Sequence, residues 1–239
     1  MITSFLKKNE IFYYINDIKN KCFSNLNYFF EDKNNLQFIS VPRTASSFCT
    51  RMFEKFKLNV DLNNHYVKPK YQSKKGYLIS IRDPIDRFIS AFYHVKHVQK
   101  IYFHKDFFYL YPEVDTLARN LKNNETKKYI RLSHHLHEGL STFFKIEDIK
   151  RNPPVYIFEF SSLHKDIFFF LKNVNRINKN KLNQFLAIVK NSSPNKKKLS
   201  SIGKKNLKIF LREDYKVYNY LIKRKSKINL KFVNKIEQL

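Results

Sequence analysis

A chain of 239 residues with 43% apolar and 16% aromatic residues can bury the core of one α/β domain and is not compositionally disordered. Its net charge of +26 implies an anionic partner, whether nucleic acid, acidic membrane, acidic glycan or polyphosphate cofactor, although a lysine-, asparagine- and isoleucine-rich chain is also what an AT-rich gene encodes. Two cysteines, Cys22 and Cys49, exclude a disulfide framework, no metal-binding spacing is present, and no apolar run is long enough to cross a bilayer. The expected setting is therefore reduced and cytoplasmic, for a soluble protein that allows at most peripheral membrane contact.

In chain order, residues 1–34 read as an N-terminal helical extension, and a core follows over 36–221 within a single domain spanning 1–239. Leu36–Val41 is short, apolar and β-branched at its end, as a buried strand requires. Phe48, Met52, Phe53 and Phe56 then recur at helical spacing, so a helix is expected over Ser47–Phe56. Tyr77–Ile81 is a second buried strand. Asp83-Pro84 opens the next helix, with Asp as N-cap and Pro at the first helical position. The pattern from Lys96 to Arg151 is weakly helical. Val155–Phe158 is a third strand, followed by a helix from about Ser162 to Lys172. Helices over about Lys179–Lys190 and Lys204–Lys223 complete the chain, joined by a polar loop, Asn191–Lys205. Short buried strands alternating with helices imply a parallel sheet covered on both faces, with ligands beyond the carboxyl ends of the strands.

Two motifs lie at such strand ends. The first is Val41-Pro42-Arg43-Thr44-Ala45-Ser46-Ser47-Phe48. A tight loop of small residues between strand and helix is an anion site in waiting: amides at the helix start and hydroxyls donate, and Arg43 adds a forked cation. It lacks the glycines of a Walker A loop, which disfavours a nucleoside triphosphatase. The second motif is Arg82-Asp83-Pro84-Ile85-Asp86-Arg87-Phe88-Ile89-Ser90. Arg82 stands at the sheet mouth, and Ser90 lies two turns into the helix, on a face shared with Asp86, Arg87 and His94. An arginine and a hydroxyl so placed suit a second phosphate. The alternative is that Arg82 and Arg87 pair with Asp83 and Asp86 on a helix surface.

Together the two motifs resemble those of the sulfotransferases that use 3′-phosphoadenosine 5′-phosphosulfate (PAPS), in particular the carbohydrate sulfotransferases. Pro42-Arg43-Thr44-Ala45-Ser46-Ser47 is loosely similar to the family's P-K-T-G-G-T-S loop. Arg82-Asp83-Pro84, Arg87 and Ser90 match its R-[ND]-P-x-x-R-x-x-S motif at every specified position. Weaker echoes are Glu159 with Asp166, Asn191-Ser192-Ser193, and Asp214 with Tyr218. The resemblance spans about 36–221 and implies a nucleotide-transferase fold of the P-loop type. It implies PAPS as donor co-substrate without a metal, with Arg43 and the amides of Thr44, Ala45, Ser46, Ser47 and Phe48 on the 5′-phosphosulfate and Arg82 and Ser90 on the 3′-phosphate. The acceptor it implies is a small molecule or a glycan, not a specific nucleic acid. It also implies a His or Glu base between the motifs, for which His65 is the choice and Glu54 and Asp61 the competitors.

Two departures bear on rate. Arg43 stands where the family has lysine, and Ala45 stands where it has glycine, so the loop must avoid φ > 0 there or carry a steric cost. His134, His135 and His137 read as a surface helix or an acceptor-binding element. A basic polyanion-binding protein, or an inactive binding protein with the same fold, are the competing readings.

Overall fold

The computed structural model of the chain describes residues 36–63, 69, 71–72, 75–97, 104–150, 154–174 and 199–236. Four runs pair into one sheet: β1 (Leu36–Ile39), β2 (Asp61–Asn63), β3 (Gly76–Ile81) and β4 (Val155–Glu159). All pairings are parallel and the order is β2-β1-β3-β4. Every residue of the inner strand β3 is buried, as its continuous apolar run requires.

Strand alternation sorts the side chains to two faces. Phe38, Leu78, Tyr156 and Phe158 pack with α1 (Ser46–Lys55) and α9 (Leu163–Val174) on one face. Ile39, Tyr77, Ile79, Ile81, Val155 and Ile157 pack on the other with α7 (Leu140–Phe143), α8 (Ile146–Lys150) and Val217 and Leu221 of α11 (Arg212–Ile236). Each such buried side chain contributes about 1.5–3 kcal/mol. A third cluster is all-helical. It joins α2 (Pro84–His97) to α3 (His104–Leu110), α4 (Val114–Arg119), α5 (Asn124–Arg131), α6 (His134–His137) and α10 (Ser201–Phe210). The expected α/β class, with a parallel sheet and helices on both faces, is what the chain adopts.

Several boundaries differ from those the sequence suggests. β1 stops two residues early, because Val41 leaves the ladder to anchor the following loop. The polar strand β2 was not expected; it exists through pairing of Asp61–Asn63 with Gln37–Ile39. The weakly helical stretch resolves into the short helices α3 to α8. The anticipated helix over Lys204–Lys223 is two helices, broken at Leu211. The first starts at Ser201, inside the expected polar loop, because Ser200 caps it by accepting from the Gly203 amide at 3.1 Å. α11 runs to Ile236, well past residue 221, and carries Phe232 and Val233 into the core. On its way it passes the edge of β4. There the Asn229 amide accepts from Ile157 N (2.8 Å) and donates to Ile157 O (3.0 Å), so a side chain pairs with backbone groups left open at the edge. The extension 1–34 and the helix over Lys179–Lys190 lie outside the described residues.

Candidate anion site at the strand ends

β1 is followed in sequence by its neighbour on one side, β2, and then by its neighbour on the other, β3. After β1 the chain enters α1 against the sheet, whereas after β3 it enters α2 and the separate helical cluster. Between β1 and β3 the outgoing segments therefore diverge, which makes the carboxyl ends of these two strands the crevice position at which parallel sheets hold ligands.

The segment after β1 is a knot of internal hydrogen bonds. Val41 O accepts from Thr44 Oγ1 and from Ser46 Oγ, both at 2.8 Å. Since the Thr44 proton goes to Val41, the Ser80 hydroxyl of β3 donates to Thr44 Oγ1 at 2.7 Å, tying the loop to the next strand. The tight course puts Arg43 and Ala45 in the left-handed region, at φ 66° and 75°. The loop thus carries the steric cost that alanine in place of glycine implied, on the order of 1–2 kcal/mol for each residue. The hydroxyls of Thr44 and Ser46 are turned inward, contrary to the expectation that they donate to a ligand. Phe48 N donates to Ala45 O at 3.0 Å, and the ring packs in the core. What the loop leaves for an anion is the exposed Ser47, together with the Ser46 and Ser47 amides, which make no hydrogen bond to a described residue.

The segment after β3 is built by ordinary capping. Asp83 Oδ1 accepts from Ile85 N (2.9 Å) and Asp86 N (3.1 Å), and Tyr215 OH of α11 donates to Asp83 Oδ2 at 3.1 Å. With Asp83 so engaged, Arg82 makes no ion pair among the described residues. Its guanidinium lies 4.1 Å from the centre of the Phe160 ring, in the turn after β4, and its Nε is buried without a hydrogen-bond partner among those residues.

The two segments meet. Arg43 Nε donates to Ser90 Oγ at 3.3 Å, and its NH1 lies 3.3 Å from His94 Nδ1, one turn further along α2. Burial lowers the Arg43 pKa, and the charge of Arg82 lowers it further. Burial likewise lowers Arg82, against the opposing pull of Asp86 and Asp83. Both guanidinium groups stay charged at any physiological pH. The crevice therefore holds two partly buried cations close enough to repel, neither in an ion pair with a described carboxylate.

Of the residues the sequence assigned here, Arg43, Ser47, Arg82 and Ser90 share this crevice, and Thr44, Ala45, Ser46 and Phe48 form its frame. His65 lies outside the described residues. Of its competitors, Glu54 is exposed on α1 and Asp61 lies in β2. Arg87 does not face the mouth. It is 1% exposed and donates to His135 O (2.8 Å) and Leu136 O (3.4 Å), so it binds α6 onto α2. In doing so it brings the histidine cluster to the site: the His135 ring stands 4.8 Å from that of His94. The sequence signal for His94 was its place four residues after Ser90 on the same helical face. Of the weaker echoes, Asn191-Ser192-Ser193 lies outside the described residues, and the acidic ones are structural. Asp166 and Glu159 hold Lys225 of α11 at 2.7 and 3.0 Å. Asp214 accepts from Ser141 N at 2.8 Å and sits where a Cβ on Gly139 would be.

Comparison with protein-family models, with curated proteins and with solved structures found no match.

Proposed function

We propose that the chain is a PAPS-dependent sulfotransferase with a P-loop-like nucleotide-transferase core, acting in the cytoplasm on a hydroxyl or amine of a small molecule or glycan. The observation that carries this reading is the pair of partly buried guanidinium groups, Arg43 and Arg82, at the divergence of β1 and β3, neither in an ion pair with a described carboxylate. Two cations that share one crevice and form no ion pair among the described residues suit a ligand with two anionic groups, and the resemblance of the two motifs names that ligand.

In the proposed reaction the acceptor oxygen or nitrogen forms a bond to sulfur as the bond from sulfur to the bridging phosphate oxygen breaks. The acceptor proton passes to a base, and 3′-phosphoadenosine 5′-phosphate (PAP) departs. Arg43 and the Ser46 and Ser47 amides neutralise charge building on the leaving phosphate. Arg82 holds the 3′-phosphate. Ser90 Oγ accepts from Arg43 but keeps its own proton, which is available to a ligand oxygen.

The test is a thermal-shift comparison of PAP with ATP, ADP and AMP. Selective stabilisation by PAP is expected, because a ligand that binds only the folded chain raises its apparent stability. Equal shifts with all four would mark a general polyanion binder. Turnover with labelled donor and mixed acceptors then separates an enzyme from a binding protein of the same fold.

A further inference from the structure

Arg43 is an unusual residue to entrust with a reacting group. Its side chain is long and flexible, with about 2 kcal/mol of rotamer entropy to lose on fixation. It springs from a backbone at φ 66°. No described carboxylate holds it. Its two polar contacts among the described residues come instead from successive turns of one helix, Ser90 Oγ on Nε and His94 Nδ1 on NH1, both at 3.3 Å.

The second contact has a chemical consequence. A guanidinium has donors and no acceptor, so the short approach of two nitrogens requires Nδ1 of His94 to accept. The ring must then be neutral and carry its proton on Nε2. An imidazolium would set N–H against N–H and drive the arginine away. The groups around the ring agree: Arg43 faces it from the loop, the His135 ring packs edge-on from α6 at 4.8 Å, and Ser90 precedes it on α2.

We propose that His94 is the positioning residue of the anion site: its neutral imidazole, together with Ser90, fixes the Arg43 guanidinium so that its remaining N–H groups are directed at the bound anion. His94 acts through Arg43 and need not touch the substrate. The inference that this anion is the donor's phosphosulfate rests on the sulfotransferase reading above; the inference that His94 fixes Arg43 does not. Burial, and after it the charge of Arg43, hold His94 below its ordinary value of 6.5, so the ring is neutral at pH 7.5 and the device weakens on acidification.

The experiment has a ligand-free arm and a ligand arm. Long-range 1H–15N spectra of the whole chain should show His94 as the Nε2–H tautomer with a midpoint below 6.5, rising in Arg43→Ala. The Arg43 Nη–H signals should be distinct in the wild type and in His94→Asn, whose amide oxygen replaces Nδ1 as acceptor of NH1, and averaged in His94→Ala. In titrations with PAP, His94→Ala should bind about tenfold more weakly, the loss expected for one hydrogen bond to a charged group. His94→Asn should stay within about threefold of wild type. Wild-type affinity should fall relative to His94→Asn as pH drops through the His94 midpoint, a comparison in which titration of the ligand's own phosphates cancels. An imidazolium or Nδ1–H tautomer at pH 7.5, or an Arg43 signal indifferent to His94→Ala, overturns the proposal. So does PAP binding that His94→Ala leaves unchanged. If the spectra behave as expected and PAP binds no variant, the positioning role stands and the donor assignment falls.

Discussion

The segments that follow β1 and β3 do comparable work by opposite means. The first has two left-handed residues that are not glycine, and hydroxyls turned onto its own carbonyl. The second has an aspartate cap, a proline at the first helical position and no residue at positive φ. One segment is held in a conformation its residues disfavour, the other in a conformation they prefer. The difference locates strain on the side where transfer chemistry is proposed and leaves the side assigned to the 3′-phosphate relaxed. It also separates residues that build the site from residues that would use it.

The largest test of that separation lies within the second segment. Arg82 and Arg87 are five residues apart, yet one opens on the crevice and the other is sealed beneath α6. Arg87→Ala removes a fully buried side chain and leaves His135 O and Leu136 O without their donor. It should destabilise the fold by about 3 kcal/mol in a denaturant titration. Arg82→Ala should leave the unfolding midpoint nearly unchanged and weaken PAP binding by about 2 kcal/mol, roughly thirtyfold, as expected for one charge-assisted phosphate contact. If Arg82→Ala unfolds the chain, or if PAP affinity stays within a few-fold, Arg82 is not the ligand group proposed here.

The same contrast explains what could be read from the sequence. β1, β3, β4 and the start of α2 follow from local signals: apolar runs, and Asp83-Pro84 as cap and first helical residue. These signals sufficed because local preference and tertiary structure agree there. β2 could not be read, because Asp-Leu-Asn is a poor strand by composition and is made one by the register of β1. Arg87 was misplaced for a related reason. Helical spacing puts it on a polar face, and only α6, recruited from 48 residues away, turns that face into an interior. The contact of Arg43 with His94 spans 51 residues and has no sequence signature beyond the position of His94 relative to Ser90. Motif order thus indicated which strand ends carry the cations; it did not indicate which donors the loop keeps for itself.

The smallest test sets one substitution in both segments. Ala45 has φ 75°, where an L side chain is strained, and its methyl group packs against the core only in part. Ala45→Gly relieves about 1–2 kcal/mol of left-handed strain. It gives back about 0.5–1 kcal/mol to the freedom of glycine in the unfolded chain, and part of a methyl contact besides. A net gain of about 0.5 kcal/mol is expected. Ala91 lies in the middle of α2 with its methyl fully buried. There the same change has no strain to relieve: it lowers helix propensity by about 1 kcal/mol and loses most of a further ~0.8 kcal/mol of burial. Denaturation midpoints should therefore move in opposite directions, upward for Ala45→Gly and downward for Ala91→Gly. If both move downward, the left-handed loop is not the strained element described here, and the contrast between the two segments fails. If Ala45→Gly is stabilising and PAP affinity is also unchanged, the inward hydroxyls of Thr44 and Ser46, not the strain, keep the Ser46 and Ser47 amides in place.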